Sequence, residues 1–283
     1  MADRHYLRCP CTLATSRIVG YTFRMFNSIK SQIRRSKLFP VLSRMRKSKI
    51  LPHNALKSLI REVLEEAYFD DSYNISRAIQ RQARDDSASW VLANIPLEKR
   101  FHDRYALMQA CLKIAPSEGL ILEFGVYKGN SVRFIGEKVA PRPVFGFDSF
   151  EGLDEPWIYE QPGSFNDVDT LPTVPSNVRL IKGWFNKTLP GFLTEQTGPI
   201  ALLHIDSDLY SSAAYVLEAV QDRLRSGSVI VFDELFNFPQ WRNVEFKAFG
   251  EWQERTGAKV EYVGFVSERG RDWSGHQVAV RIV

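Results

Sequence analysis

Three acidic side chains directly follow two apolar runs in the second half of the chain, and acids so placed can do chemistry. Asp206 follows Ile200–Ile205, and Asp233 and Glu234 follow Ser228–Phe232. If these runs are neighbouring parallel strands, their carboxyl ends lie at the edge where open α/β sheets bind ligands. Converging carboxylates repel one another unless a cation lies between them, and hard oxygen ligands suit Mg²⁺ or Ca²⁺. The pattern predicts a divalent metal site at Asp206, Asp233 and Glu234.

Two neighbours of Asp206 are given structural roles. Asp208 is expected to cap the next helix, whose first turn is Leu209–Ser212, because a side-chain oxygen there accepts an orphan backbone N–H. His204 alternates with Asp206 inside an apolar strand. We expect His204 to be buried and hydrogen-bonded rather than to act as a catalytic base.

A glycine turn follows the first strand of this region, in the letters EFGVYKGNS from Glu123 to Ser131. Gly125 and Gly129 stand where the chain passes from strand to helix, and side chains there would block a ligand lying across the strand ends. The dinucleotide fingerprint G-x-G-x-x-G is absent, and a tight turn without a ligand remains the alternative.

An acid follows the glycine turn at the spacing that doubly wound folds use for an acid that binds ribose. Asp148 ends the second strand, about twenty residues further on, where doubly wound folds place an acid that binds ribose hydroxyls. A capping aspartate would explain this residue taken alone. The turn and the acid together predict that a nucleoside binds here.

A sheet must bring these residues together, and from Leu120 onwards the chain alternates between apolar runs and amphipathic stretches. The predicted strands are Leu120–Phe124, Val144–Asp148, Val178–Lys182, Ile200–Ile205, Ser228–Phe232, Lys259–Val266 and Gln277–Ile282. The predicted helices between them are Ser131–Val139, Leu189–Gln196, Ser212–Arg225 and Val244–Thr256. Buried runs separated by helices indicate parallel strands, and the last two strands indicate an antiparallel hairpin.

The N-terminal part is helical in pattern, with helices predicted at Ala55–Tyr68, at Ile75–Asp85 and from about Asp103 to Ile114. The chain therefore divides into a poorly ordered basic arm (1–50), a helical subdomain (51–102) and a catalytic domain (103–283). The catalytic domain has the layout of the class I methyltransferase fold, a Rossmann-like, mostly parallel sheet with a C-terminal antiparallel hairpin. An NAD-binding Rossmann domain would normally end on another βα unit.

The basic arm carries twelve Lys or Arg and one acid, Asp3, so that its net charge is +11 within a chain of net charge +4. Three interpretations stay open. The arm binds nucleic acid or anionic lipid, it is a cleaved organellar targeting segment, or it is a solvated extension. The solvated extension is favoured.

The ordered blocks of the second half carry a family resemblance. The segments are LILEFGVYKGNSV, VFGFDSFEGL, VRLIKGWFNKTLP, ALLHIDSDLYSS and VIVFDELFNFPQW. In this order they resemble the macrocin-type O-methyltransferases that tailor macrolide sugars. The resemblance runs from about Arg104 to the C-terminus and leaves out residues 1–50.

The resemblance implies a class I fold that binds S-adenosylmethionine and Mg²⁺. It assigns cofactor contacts to the first three strand ends, at Glu123, Gly125, Gly129, Asp148, Ser149, Phe150, Gly183 and Trp184. It assigns the metal to Asp206, Asp233 and Glu234. The chain has Asp-Glu at the last two positions where the macrolide enzymes tend to have Asp-Asp, which makes Glu234 the least secure ligand.

The implied activity is methyl transfer to a hydroxyl of a sugar or other small molecule. The sulfonium already activates the methyl group, so that the protein aligns donor and acceptor, and Asp206 or a nearby group takes the hydroxyl proton. The segment Glu151–Ser176 is too long for an ordinary connection and contains Trp157 and Phe165. We interpret it as a lid over the acceptor site.

Three other functions compete with this interpretation. An NAD or nucleotide-sugar oxidoreductase is disfavoured by the absent third glycine and by the terminal hairpin. A nucleoside-binding module without turnover is disfavoured by acids retained at three strand ends. A nucleic-acid methyltransferase would carry an Asn/Asp-Pro-Pro-aromatic motif after the fourth strand, where this chain has Asp206-Ser-Asp-Leu-Tyr, and no specific nucleic-acid partner is expected.

The cysteine content and the hydropathy of the sequence indicate the cellular compartment. The cysteines Cys9, Cys11 and Cys111 are odd in number and match no zinc spacing, which favours a reducing, cytoplasmic compartment. No apolar run of about 18 residues occurs, so that no transmembrane helix is expected. The acceptor and the oligomeric state are not encoded in a readable motif, and a homo-oligomer is compatible with the sequence.

Overall fold

The computed structural model describes residues 75–158, 160–268 and 275–283, together with positions 58, 61, 62, 65 and 72–74. The chain forms two compact units, Met1–Asn74 and Ile75–Val283. The basic arm and most of the helix predicted at Ala55–Tyr68 lie outside the described residues. Positions 58, 61, 62 and 65 are helical, as that prediction requires. The second unit begins at Ile75, and the predicted boundary between a helical subdomain and a catalytic domain at residue 103 stays a prediction.

One sheet of eight strands forms the centre of the second unit. Its strands are β1 (Arg100–Phe101), β2 (Leu120–Phe124), β3 (Val144–Asp148), β4 (Val178–Lys182), β5 (Ile200–Ile205), β6 (Val229–Phe232), β7 (Val260–Val266) and β8 (Val278–Ile282). They are ordered β1-β7-β8-β6-β5-β2-β3-β4. Strands β2 to β6 pair in parallel, and β8 is antiparallel to both of its neighbours, β6 and β7. The predicted class I methyltransferase layout is confirmed, and only the short edge strand β1 was not predicted.

Six α-helices accompany the sheet in the described part of this unit. They are α1 (Ile75–Asn94), α2 (Arg104–Ile114), α3 (Asn130–Val139), α4 (Phe185–Glu195), α5 (Tyr210–Val220) and α6 (Glu245–Thr256). The helix predicted at Leu189–Gln196 begins a turn earlier, at Phe185, and Pro190 lies inside it without ending it. The helix predicted at Ser212–Arg225 ends at Val220 and continues as a 3₁₀ turn, Gln221–Arg223.

The sheet is buried on both faces, as its apolar runs predict. Side chains such as Phe124, Phe147 and Phe232 point to one face, where α1, α4, α5 and α6 cover them. The opposite face, with Ile121 and Leu202, packs against α2 and α3. This three-layer arrangement leaves the carboxyl ends of the parallel strands as the accessible edge.

Helix α1 is longer than predicted and belongs to the core of this unit, with Ala83 and Val91 buried against the sheet. It also holds the loop that follows β6. The Gln80 side chain donates to the Asn237 carbonyl at 2.7 Å, and the Asn237 N–H donates to Ser87 Oγ at 2.9 Å. Helix α1 thus fixes the loop on which Glu234 stands.

None of the helices in the described ranges combines the length and the apolar character needed to cross a membrane.

Candidate active site

The two central strands meet at the point where the strand order reverses. From β2 the chain builds outwards through β3 to β4, and it then returns to β5 on the other side of β2. The turn after β2 and the turn after β5 touch, and a Cβ on Gly125 would overlap the Asp206 carbonyl oxygen. Gly125 has φ +95°, which side-chain-bearing residues rarely adopt. In open α/β sheets this reversal point is where ligands bind.

A cavity of about 940 Å³ opens at this point, near the upper end of the range for small-molecule sites. Seven of the predicted site residues line it: Gly125, Asp148, Ser149, Trp184, Asp206, Asp233 and Glu234. Four others, Glu123, Gly129, Phe150 and Gly183, are absent from its lining. The residues predicted to bind cofactor and those predicted to bind metal therefore share one cavity.

The four residues outside the lining have structural positions. Gly129 has φ +76° at the start of α3, and a Cβ there would meet Pro172 at 3.0 Å. Gly183 has φ +136°, and a Cβ would meet Thr188. Phe150 is buried in the core. These three residues and Glu123 support the cavity walls from outside the lining, and their contact with a cofactor stays a prediction.

Asp148 holds the glycine turn. Its Oδ2 accepts from the backbone N–H of Val126 at 2.7 Å and of Tyr127 at 2.8 Å. Its Oδ1 accepts from the Phe150 N–H at 2.7 Å. These bonds use three of the roughly four acceptor sites of a carboxylate. Asp148 therefore positions the turn and keeps about one acceptor site for a ligand.

Glu123 and His204 form a buried pair behind the cavity. They are register partners on β2 and β5, so that their side chains emerge side by side on one face. His204 Nδ1 lies 3.0 Å from Glu123 Oε2, and Ser131 Oγ donates to Glu123 Oε1 at 2.9 Å. Burial disfavours the imidazolium, but hydrogen bonds to Asp233 and Glu123 outweigh it and raise the pKa of His204 to about 10. His204 is buried and hydrogen-bonded, as expected.

Arg104, on the first turn of α2, inserts a cation among the acids. Its Nη2 lies 2.9 Å from Asp233 Oδ1 and 3.3 Å from Asp206 Oδ2. Gln277 Nε2 donates to the other oxygen of Asp233, Oδ2, at 3.2 Å. Burial alone would raise the pKa of Asp233, but Arg104 and then His204 outweigh it and hold that pKa below its ordinary value. Asp233 is therefore an ionised, fully partnered carboxylate.

The remaining acids are less well compensated, although Arg104 also contacts Asp206. Burial and then the charge of Asp233 raise the pKa of Asp206 to about 7. Burial, and then the charge of Asp206, raise the pKa of Asp208 well above its ordinary value. Burial, and then the charge of Asp233, do the same to the pKa of Glu234. The same causes raise the pKa of Glu245, whose Oε2 accepts from the Glu234 N–H at 3.1 Å. Crowded negative charge is thus a property of this end of the sheet.

Asp208 corrects an expectation. The residue at the N-terminus of α5 is Leu209, and no side chain caps that helix. Asp208 instead has φ +60° and lines the cavity beside Asp206. Its left-handed backbone turns the chain before the helix begins, which puts the carboxylate on the cavity side rather than over the helix end.

The described residues offer two groups of ligand atoms that lie within 4.8 Å of one another: His204, Asp206 and Asp233, and Asp206, Asp208 and Glu234. The first group suits a metal poorly, because His204 Nδ1 already lies 3.0 Å from Glu123 and Arg104 Nη2 lies 2.9 Å from Asp233. The second group consists of carboxylates alone, the donor set that Mg²⁺ prefers. The predicted trio with Asp233 in place of Asp208 is not among these groups.

The predicted lid forms one wall of the cavity. The loop closes on itself through hydrogen bonds from the Leu153 N–H to the Ser164 carbonyl at 3.0 Å and from the Gly163 N–H to the Leu153 carbonyl at 2.7 Å. Asp167 fastens it to the glycine turn, accepting from Tyr127 Oη at 2.6 Å and from Lys128 Nζ at 2.7 Å. Exposed hydrogen bonds therefore hold the lid against the glycine turn.

Sequence reasoning missed Arg104, Gln277, Glu245 and the position of Asp208. Arg104 and Gln277 are about 100 and 44 residues from the acids they contact, and no local pattern marks either one. The sequence carries a signal only for Asp208, which alternates with Asp206 after a buried strand. The interpretation of Asp208 as a helix cap leaves it out of the predicted site residues.

Comparisons with known proteins agree with this geometry. Residues 122–235 match the family model described as a methyltransferase domain. A 4'-O-methyltransferase of Streptomyces olivaceus, named for a rhamnosyl-tetracenomycin C, is 27% identical over 154 residues, which is 45% of this chain and 58% of that protein. The chain thus spans less than two thirds of the length of this relative.

Solved structures of similar outline include the calicheamicin methyltransferase CalS11, with a TM-score of 0.48, 21% identity and coverage of 86% of this chain and 90% of that one. The O-methyltransferase NovP has a TM-score of 0.45, 21% identity and coverage of 63% and 78%. The resemblance to O-methyltransferases noted from the sequence is confirmed by the family and sequence matches. Residues 122–235, which contain the glycine turn, Asp148 and the acids at both strand ends, match a methyltransferase domain.

Proposed function

We propose that this chain transfers the methyl group of S-adenosylmethionine to a hydroxyl oxygen of a small molecule, with a sugar as the expected acceptor. One observation carries the proposal: the glycine turn after β2 and the acids after β5 and β6 line the same cavity, with Gly125 against Asp206. A cofactor lying across the turn would present its methyl group toward the acids, where an acceptor hydroxyl can be deprotonated.

The cofactor side of the cavity is the part formed by the first three parallel strands. Gly125 leaves room above the strand end, and Ser149 and Trp184 line the walls. Asp148 holds the turn in place, so that the ribose would find a rigid edge and the one remaining acceptor site of this carboxylate. Trp184 is 36% exposed, and its ring offers a flat apolar surface on which the adenine can lie.

The acceptor side is formed by Asp206, Asp208 and Glu234 together with the lid. The sulfonium supplies an electrophilic methyl group, so that the chain has only to hold donor and acceptor in line and to remove a proton. Asp206 takes the proton from the hydroxyl, the oxygen–methyl bond forms as the sulfur–methyl bond breaks, and S-adenosylhomocysteine leaves. Asp206, Asp208 and Glu234 could hold a divalent cation, which would lower the pKa of a bound hydroxyl and orient it.

A sugar acceptor is supported by the relative from Streptomyces olivaceus, whose name describes methylation of a rhamnosyl group. The cavity also has the mixed lining that sugars need. Trp157 and Phe165 of the lid supply aromatic surface, and Asp154 and Glu155 supply hydrogen-bond acceptors. A cytoplasmic location is part of the proposal, and the buried free thiol of Cys111 supports a reducing compartment.

The deciding experiment is a mass-spectrometric screen for methyl transfer to sugar, polyketide and phenolic acceptors, with and without Mg²⁺. Thermal shifts with S-adenosylhomocysteine and with NAD accompany it, because a ligand that binds only the native state raises the melting temperature. We expect stabilisation by S-adenosylhomocysteine and a product heavier by one methylene. Stabilisation by NAD instead would favour the oxidoreductase, and binding without product from every acceptor would favour a nucleoside-binding module.

A further inference from the structure

The resemblance implies Asp233 as a metal ligand, but its carboxylate is already occupied on both oxygens. Arg104 Nη2 lies 2.9 Å from Oδ1, and Gln277 Nε2 donates to Oδ2 at 3.2 Å. His204 Nε2 lies 3.5 Å from the same Oδ1. The Asp233 side chain is 2% exposed. A metal would have to displace the Arg104 guanidinium, which is 16% exposed, and a largely buried cation that loses one of its carboxylate partners is destabilised.

Asp208 and Glu234 offer the opposite situation. Glu234 is 8% exposed, and its Oε2 is buried without a hydrogen-bond partner among the described residues. Ser207, between Asp206 and Asp208, is also 8% exposed, lines the same cavity, and has a buried Oγ in the same condition. Buried polar atoms are nearly always satisfied by some partner. These two atoms point to a ligand that offers positive charge and can complete their hydrogen bonds through bound water.

We infer that a divalent cation binds to Asp206, Asp208 and Glu234, and that Arg104 holds Asp233 out of the coordination sphere as its fixed counter-ion. Oxygen atoms of the three acids lie within 4.8 Å of one another, the spread expected of ligands around one ion. Asp206 belongs to both arrangements, since Arg104 approaches only its Oδ2, at 3.3 Å. The assignment deepens the proposed function, on which its purpose rests, by naming the ligands of that site.

The separation of Asp233 from the three metal ligands also explains why one sheet edge holds so many acids. Arg104 Nη2 lies against Asp233, and His204 Nδ1 lies against Glu123, behind the cavity. Among the described residues, Asp208 and Glu234 form no ion pair, so that a bound cation removes the repulsion between these acids. A metal among Asp206, Asp208 and Glu234 therefore gains more than one placed between Asp206 and Asp233, where Arg104 already lies.

The test is Mn²⁺ binding to the full-length protein, followed by the loss of the free-ion signal in electron paramagnetic resonance. The variants are Asp208→Asn and Asp233→Asn, with Glu155→Gln as the matched control. Asparagine tolerates the left-handed backbone of Asp208, and Glu155 is an exposed acid that lines the same cavity. We expect Asp208→Asn to weaken Mn²⁺ binding at least about tenfold. Asp233→Asn should weaken it no more than Glu155→Gln does.

Melting temperatures and S-adenosylhomocysteine binding are measured on the same samples, so that loss of fold and failure of the proposed function show separately. No Mn²⁺ binding by the wild type would overturn the inference even if S-adenosylhomocysteine binds. Unchanged Mn²⁺ binding by Asp208→Asn, or a loss confined to Asp233→Asn, would restore the ligand set implied by the resemblance. If Asp233→Asn does not fold, the comparison of Asp208→Asn with Glu155→Gln decides alone.

Discussion

Gly125 and Asp206 are in backbone contact, and a methyl group on Gly125 would overlap the Asp206 carbonyl oxygen. This contact joins the glycine turn to the end of β5, where the proposed base Asp206 stands. It also changes the reason why residue 125 must be a glycine. From the sequence, Gly125 leaves room for a ligand, but in the structure it first leaves room for the neighbouring strand.

We therefore predict that Gly125→Ala damages the fold before it damages binding. The new Cβ must move backbone atoms and must adopt φ +95°, which together should cost about 3 kcal/mol or more of unfolding free energy. Gly250→Ala is the control, because nothing lies within 4 Å of a Cβ at this exposed position in α6, and the change should be neutral or stabilising. Urea denaturation of both variants measures the difference. A Gly125→Ala protein of normal stability that no longer binds S-adenosylhomocysteine would show that the ligand, not the strand, requires the glycine.

The buried pair of Glu123 and His204 predicts a pH dependence of stability. The pKa of His204 is raised to about 10 in the folded protein, from an ordinary value of 6.5. Its stabilising contribution is therefore fully present below about pH 6.5 and is lost as the pH rises toward 10. Nitrogen chemical shifts should show His204 still protonated at pH 8. Titration of this ring near pH 6.5 would contradict the prediction.

Removing the partner of this imidazolium should be costly. Glu123→Gln leaves a buried cation with one carboxylate fewer, and we expect a loss of about 3–5 kcal/mol of unfolding free energy. The exposed ion pair of His102 and Glu268 provides the control, and Glu268→Gln should change little. Denaturant titrations at pH 7 compare the two variants. Equal, small effects would mean that the buried pair contributes no more than a surface pair.

The lid should loosen when its clasp is removed. Asp167→Asn weakens the bonds to Tyr127 and Lys128, whose groups are exposed, so that the melting temperature should hardly change. Limited proteolysis within residues 151–176 should become faster, because the loop loses its contact with the glycine turn. Asp169→Asn, an exposed acid in the same loop, is the control. Equal cleavage rates in both variants would show that the clasp does not hold the lid.

The acids should separate turnover from cofactor binding. Asp206→Asn should abolish methyl transfer and leave S-adenosylhomocysteine binding largely intact, because the substitution keeps the volume and removes the proton acceptor. EDTA should silence the wild type, and added Mg²⁺ should restore it. Activity assays and thermal shifts measured side by side provide the readout. Full activity in EDTA would remove the metal from the proposal and would leave the methyltransferase assignment intact.

The order of strands and helices could be predicted from the sequence because each apolar run in the sheet is local and continuous. The five parallel strands have bounds within one residue of those predicted. The run Ile200–Ile205 is buried at all six positions, as a strand covered on both faces must be. The placement of Asp206, Asp233 and Glu234 at one edge followed from that order alone.

The partners of those acids were decided by tertiary structure. Arg104 lies on a helix that precedes the parallel strands β2 to β6, and Gln277 stands just before the last strand of the sheet, so that no spacing along the chain relates either one to Asp233. A left-handed backbone at Asp208 turned an expected helix cap into a cavity acid. The physical reason is common to all three: sequence periodicity reports which face of an element is buried, but ion pairs and cavity linings depend on which faces of distant elements come together in space.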